Sequence, residues 1–562
     1  MRLIDLILPL EHTETQLRDA IVTALGIADT QLVSFAVARR GYDARKHGHV
    51  KLIYAIDVEL APSATVHLNK DGQSSLRLID TPDTTYQFVM REMPVGMHRP
   101  VVIGMGPCGL FAGLVLAQMG FKPIIIERGE AVKERTQSTW GLWRKRILTA
   151  ESNVQFGEGG AGTFSDGKLY SQVSDKQHHG RKVLTEFVEA GAPEEILYVS
   201  KPHIGTFRLV TMVQNMRAKI IELGGEVRFN TRVDDLLLEG TPTGQQQVRG
   251  VVLNDGTQIR TDHVVVALGH SARDTFEMLH QRGVYMEAKP FSVGFRIEHP
   301  QSMIDNARFG AQAGHPILGA ADYKLVHHAR NGRAVYSFCM CPGGTVVAAT
   351  SEPNRVVTNG MSQYSRNERN ANAGIVVGID PPDYLQYFAD DRPELPSHIT
   401  DAMSGEQVVH PLAGISLQRF YESHAYVAGG ESYNAPAQLI GDFLKQQASA
   451  SLGDVEPSYK PGVTLTDLNG TLPGYATDAI REALPAFGHK IKGFDRVDGI
   501  LTGVETRTSS PLRITRGKDF QSLNVRGLFP AGEGAGYAGG ILSAGIDGIK
   551  VAEAIARDVT DR

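Results

Sequence analysis

The stretch VVIGMGPCG, residues 101–109, decides how this chain is read. Val101-Val102-Ile103 is a short apolar run of the kind that forms a buried strand, and the glycines after it stand at the spacing of a tight turn that opens a helix. Leu110 to Met119 continues as that helix, and Gly120 ends it. Pro123 to Ile126 is a second apolar strand, closed by Glu127. Strand, glycine turn, helix, strand and acid form the βαβ order of a dinucleotide site. Gly104 makes the turn, Gly106 leaves room for a pyrophosphate to reach backbone N–H groups, and Gly109 lets helix and strand pack closely. The helix start offers free amides and the positive end of its dipole to the phosphates. Glu127 can accept both hydroxyls of an adenosine ribose, and its charge disfavours a 2′-phosphate. Gly104, Gly106, Pro107, Gly109 and Glu127 are therefore expected cofactor contacts.

The rest of the chain narrows the class. At roughly 150 residues per domain, 562 residues suggest about three or four domains. With 42% hydrophobic and 21% charged residues the composition is that of a globular protein with an ample core. The net charge of −5 opposes a nucleic-acid partner, which calls for a basic domain or stripe. One short basic run, Arg39-Arg40 and Arg45-Lys46, reads as a solvated turn. Three cysteines are too few for a disulfide framework and lack zinc spacing, so no metal site is expected. They fit a reducing cytosol, hence a cytoplasmic location. The apolar run at the N-terminus is short and broken by Asp5, unlike a signal peptide. No apolar stretch reaches about 18 residues, so no membrane span is expected.

Four segments follow from the patterning. Residues 1–95 read as a small βαββ accessory domain, with a helix from Thr13 to Leu25 and MPVGMHRP (93–100) as its linker. Residues 96–285 carry the first part of the dinucleotide domain, 286–425 an inserted α+β substrate or cap domain, and 426–562 a return to the dinucleotide domain. Leu528 to Ala531 reads as a further buried strand, and about Gly539 to Ala556 as the final helix.

Several residues outside the turn are candidates for chemistry. FGEGGAGTFSDGK (156–168) places Gly157, Gly159, Gly160, Gly162 and Gly167 within one loop, which can press backbone against a flat ring or a phosphate. Lys168 is a candidate beside the ring or an anionic substrate. His203, in KPHIGT (201–206), is the first choice for a proton donor, with His270, His410 and His424 as rivals. Arg507 and Arg513, and less so Arg296, are candidates to hold an anionic substrate. Cys339 and Cys341 would share a strand face and read as packing residues, with a redox role as the alternative. Cys108 reads as helix packing.

GLFPAGEGAGYAGGILSAGIDGIKVAEAI (527–555) resembles the closing motif of FAD-dependent oxidoreductases of the glutathione-reductase type. The resemblance implies that Gly532-Glu533 stands where such proteins place Gly-Asp, the acid holding a ribitol hydroxyl; here Glu replaces Asp. It implies that Gly539-Gly540-Ile541 starts a helix aimed at the flavin. ERGEAVKER (127–135) is similar to the stretch after the ribose acid, so Arg128 and Gly129 would line the adenosine side. VVVALGHSARDTF (264–276) resembles the strand element that passes near the cofactor, bringing Gly269 with it, and Val233 would meet the adenine through its backbone. Gly159, Gly160 and Gly162 complete the expected contacts. Nearly the whole chain resembles a group of bacterial FAD-dependent dehydrogenases whose substrates are mostly unassigned, on FGEGGAGTFSDGKLYS (156–171), KPHIGT, CMCPGG (339–344), YNAPAQ (433–438), GVETRTSSPLRI (503–514) and RRGYDARK (39–46).

The expected fold class is thus α/β: a three-layer FAD-binding Rossmann-like domain, an inserted α+β domain and a small N-terminal α+β domain. The expected activity is that of an FAD-dependent oxidoreductase, with FAD held non-covalently and a hydride moving through flavin N5 to or from an unknown small molecule. No second GxGxxG stands in βαβ context, so NAD(P)H would bind only transiently. A flavin monooxygenase and a non-catalytic or sensing flavoprotein with a partner-binding N-terminal domain are the alternatives.

Overall fold

The computed structural model describes residues 1–562 except 47, 71, 172, 241–244, 385–408 and 561–562. The βαβ order of the sequence builds a five-stranded sheet. Val101–Ile103 is its centre, with Ile124–Ile126 and then Glu226–Arg228 on one side, and Val264–Val266 and then Leu528–Pro530 on the other. All four pairings are parallel, which puts the carboxyl ends of the strands, and the turns that follow them, along one edge. In such a sheet ligands bind at that edge, where the strand order reverses.

Parallel strands must be covered on both faces, which is why they read as unbroken apolar runs. Helices Pro107–Gln118 and Ile541–Thr560 cover one face, and their Phe111, Val115, Ile549 and Ile555 share one core. Each such buried aliphatic side chain contributes about 1.5–3 kcal/mol. The other face carries the antiparallel hairpin Val233–Gly240 and Gln246–Leu253 with Gln258–Arg260; Leu236, Val251 and Leu253 pack there against Val101 and Ile126.

The N-terminal strands form a four-stranded antiparallel sheet in the order 32–43, 51–60, 2–9, 77–79. Helix Glu14–Leu25 lies on it. The Thr13 side chain accepts from Gln16 N–H at 3.2 Å, the Gln16 side chain accepts from Thr13 N–H at 2.8 Å, and Gly26 ends the helix at φ 63°. The segment that follows is not a free linker. Tyr86, Phe88, Val89, Met90 and Met93 pack on the core of the dinucleotide domain, and the Tyr86 hydroxyl donates to Glu553 at 3.0 Å.

The second large unit is a mostly antiparallel eight-stranded sheet. Its order is 326–328, 334–348, 370–379, 291–300, 500–505, 435–439, 463–465, with 358–362 on the side of 334–348. This corrects the boundary placed at residue 425. Strands Ala435–Leu439, Val463–Leu465 and Ile500–Glu505 belong to the inserted unit, because Ile500–Glu505 pairs with Phe291–Pro300 and Ala435–Leu439 pairs with Ile500–Glu505. The chain returns to the dinucleotide domain only after Glu505. Strand partners so far apart in sequence leave no local mark, so the periodicity within 290–425 could not place the boundary.

Candidate functional site

The turn after Val101–Ile103 takes the shape its glycines allow. A Cβ on Gly109 would lie 2.0 Å from the Gly104 carbonyl oxygen, so only glycine lets this helix start so close to its strand. Gly106 caps helix Pro107–Gln118, and no side chain caps the amides of its first turn. The glycine-rich loop folds back onto this turn: Gly159 N–H donates to Met105 O at 2.8 Å, and a Cβ on Gly160, at φ +60°, would stand 2.8 Å from Gly106 Cα. The two segments therefore make one backbone-lined cradle with room for a phosphate and none for side chains.

Glu127 is buried at the end of the second strand. Its carboxylate accepts from the backbone N–H groups of Met105 at 2.8 Å, Gly129 at 2.9 Å and Gly157 at 2.9 Å. A carboxylate has about four acceptor positions, so capacity remains for a sugar hydroxyl. Buried carboxylate, tight turn and bare helix start fit the adenosine and pyrophosphate of a dinucleotide.

A cavity of about 510 Å³ opens from this cradle, a size typical of cofactor and ligand sites. Of the expected cofactor contacts, Gly104, Gly106, Pro107, Glu127, Arg128, Gly160, Gly162, Val233, Gly269, Gly532, Glu533, Gly540 and Ile541 line it. Gly109 and Gly159 do not; they hold the cradle together from behind. Arg128 contributes its flank rather than free donors: it is ion-paired to Glu151 at 2.8 Å and Asp274 at 2.7 Å and stacks on Phe156 at 4.3 Å. Glu533 accepts from Ser510 N–H at 2.8 Å, and burial pushes its carboxyl up to about 7. Gly540 and Ile541 stand at the start of helix Ile541–Thr560, across from Gly162.

Lys168 lines the far end of the cavity. Its ammonium donates to the Met340 carbonyl and lies 3.9 Å from Asp166. Burial opposes the charge, but Cys341, Asp166 and Cys339 outweigh it and hold the ammonium above its ordinary range. His203 pairs its backbone with that of Lys168 yet is not a wall of the cavity. Its Nε2 faces Tyr364 O at 2.9 Å and its ring stacks on Tyr364, while burial and Arg366 push its pKa down.

Among the rival histidines, His270 lines the cavity and burial drives it down to about 3. His410 packs edge-on against His280, and His424 faces Phe420 O at 2.8 Å. Arg507 reaches the cavity wall, but its guanidinium is engaged: it pairs with Glu422 at 2.9 Å and donates to Ser271 at 3.0 Å and Ser351 at 2.6 Å. Arg273 pairs with the same Glu422 at 2.8 Å, so one buried carboxylate is shared by two arginines. Arg513 lies outside the cavity, on strand Leu512–Ile514 beside Tyr537. Neither arginine is arranged to clamp a substrate anion.

The cavity also has walls that the sequence reading left out: Phe156, Thr231, Asn359, Glu505 and Thr508. Cys339, read as a packing residue, is among them. Phe156, Glu505 and Thr508 stood inside motifs already singled out, while Asn359 gave no local signal because strand pairing alone brings it here. Among the described residues no group of three or more metal-ligating side chains is assembled, and no helix is long and apolar enough to cross a membrane.

The chain is 42% identical over 560 residues to an uncharacterized protein of Clostridium beijerinckii, covering 99% of this chain and 98% of that one. It belongs to the same family as that protein. Residues 290–508 match a family described as FAD-dependent protein, C-terminal domain-like, and residues 1–59 match a domain of unknown function. The first match coincides with the eight-stranded unit that walls the far end of the cavity. Among solved structures, glycine oxidase from Geobacillus kaustophilus is similar at 11% identity, over 82% of this chain and 95% of that one, with a TM-score of 0.34. L-amino acid deaminase from Proteus vulgaris is similar at 10% identity, over 84% and 95%, also with a TM-score of 0.34.

Proposed function

We propose that this chain is an FAD-dependent oxidoreductase that exchanges a hydride with a small organic substrate. One observation carries the reading: a single cavity is walled by the dinucleotide turn, by Gly532-Glu533 and the start of the C-terminal helix, and by the eight-stranded unit. The FAD-dependent family match over residues 290–508 supports it. Gly104, Gly106 and Gly160 would cradle the pyrophosphate, Glu127 would hold the adenosine ribose, and Glu533 the ribitol. When bound, the flavin supplies the electron chemistry, accepting or giving a hydride at N5, and the protein supplies binding, orientation and charge.

This chain's own contribution at the far end is electrostatic. Lys168 stays cationic in a half-closed cavity, where a charge acts more strongly than in water, and so favours an anionic substrate group or negative charge on the ring edge beside it.

The test is direct. Purified protein should be yellow, with the two visible bands of an oxidised flavin, and denaturation should release FAD on chromatography. Anaerobic titration with NADH and NADPH then tells which donor, if either, bleaches the bands. Colourless protein that cannot be reconstituted with FAD would end the proposal.

A further inference from the structure

We propose that Cys339 and Cys341 are a redox pair, cycling between dithiol and disulfide at the Lys168 end of the cavity and exchanging an electron pair with the flavin of the proposed function. The inference rests on that reading for its electron partner.

Two features of the strand Ala334–Ala348 turn the Cys341 thiol onto Cys339. Its register against Asn370–Ile379 shifts between Phe338 and Cys341, so the chain carries a bulge there. Cys339 sits in the bulge at φ +41°, a left-handed conformation that a non-glycine residue seldom adopts and that concentrates at functional sites. In a regular strand, residues two apart point the same way but stand a full pleat apart. Here the Cys341 thiol turns back on its neighbour and donates to the Cys339 carbonyl at 3.4 Å. Cys339 faces the cavity, while Cys341 is fully buried behind it.

The charges around the pair suit a thiolate. The Arg296 guanidinium, buried and ion-paired to Glu505 at 2.6 Å, donates to the Cys339 carbonyl at 2.9 Å. Lys168 binds the carbonyl of Met340, the residue between the two cysteines. The neighbouring Cys341 thiol, then Arg296 and Lys168, hold the Cys339 thiol below its ordinary range against the effect of burial. Its partner Cys341 is pushed up, by Cys339 and by burial. An attacking or leaving thiolate exposed to the site, and a protonated partner behind it, is the asymmetry that disulfide chemistry uses. Cys108, in the first turn of helix Pro107–Gln118, also borders the cavity, but burial and Asp547 push its thiol up and no second cysteine stands beside it.

The step balances. Oxidation joins the two sulfurs, removes an electron pair from them and releases one proton from the Cys341 thiol and, where Cys339 is protonated, a second. In reverse, an electron pair from the reduced flavin breaks the S–S bond, and proton uptake regenerates the Cys341 thiol beside the Cys339 thiolate.

Two readouts test it on the holoprotein. Anaerobic titration with dithionite should need twice the electrons per flavin in the oxidised wild type as in C339S and C341S, because each couple takes two. Separately, protein oxidised with diamide is quenched in acid, alkylated and mapped by mass spectrometry. A Cys339–Cys341 disulfide beside an alkylated Cys108 is expected. Equal electron uptake in wild type and variants, with Cys339 and Cys341 both alkylated after oxidation, overturns the proposal. The thiol map reads the pair even where a variant misfolds. Failure of the FAD reading is seen separately, in the released nucleotide.

Discussion

Replacing Glu127 by glutamine keeps the shape of the ribose site and removes its charge. In the structure the Glu127 carboxylate collects three backbone donors, two on Oε1 and one on Oε2. An amide can keep its oxygen toward Gly129 and Gly157, but its NH2 then faces the Met105 N–H, donor against donor. One buried amide loses its partner, at about 1–3 kcal/mol. The proposed ribose bond, on the one acceptor position left free, changes from charge-assisted to neutral, a loss of about 1 kcal/mol, which is roughly 5-fold in affinity. Titrating FAD into apoprotein and following the quenching of flavin fluorescence reads this directly. E127Q should bind FAD roughly 5-fold more weakly, and hydrogen exchange at the Met105 amide should speed up. Glu127→Ala should do worse, since it orphans three amides and unties the loop at Gly157 from the turn. E127Q binding FAD as tightly as wild type would refute the assignment of Glu127 as the ribose anchor.

Three further outcomes are expected. Glu422→Gln leaves the buried Arg507 with hydroxyl partners but no carboxylate, while Arg273 keeps Glu352, and should cost about 3–5 kcal/mol, read as a large fall in the thermal midpoint. Burial raises Glu533 from 4.5 to about 7, so the folded protein holds this proton more tightly than the unfolded chain; its contribution to stability should be fully present below about 4.5 and be lost as pH rises to 7, so that the difference in unfolding between wild type and Glu533→Gln changes across that window. Cys339, held below its ordinary range by the Cys341 thiol, Arg296 and Lys168, should lose less of its alkylation rate by iodoacetamide between pH 8 and pH 6 than a free thiol does, while Cys108, which burial pushes up, reacts far more slowly, and FAD should protect the site. A Cys339 rate rising steeply between those pH values would contradict the thiolate.

What the sequence determined by itself was local. The run from Val101 to Glu127 encodes its strand, turn, helix and acid by spacing alone, and it becomes the centre of the parallel sheet with Glu127 at the cavity. Thr13 and Gly26 bound their helix for the same reason: capping chemistry lies within a few residues. Gly532-Glu533 was singled out by resemblance to a closing motif in which the acid and the helix after it are contiguous.

Tertiary structure decided whatever depends on partners far apart in the chain. The inserted unit extends to Glu505 because Ile500–Glu505 finds its neighbours in Phe291–Pro300 and Ala435–Leu439, a pairing that no window of sequence contains. Arg507, a plausible anion clamp by type, is committed to Glu422 once helix Ala413–Ala428 folds beside it. Cys339 and Cys341 read as packing residues because an even strand would have hidden them in a core. The bulge that turns Cys339 toward the cavity comes from a register shift against Asn370–Ile379, and the two cations beside it arrive from residues 168 and 296. Composition and spacing carry backbone conformation, which is set by near neighbours. The direction in which a side chain faces, and the charges it meets there, are fixed only when the sheets close on one another.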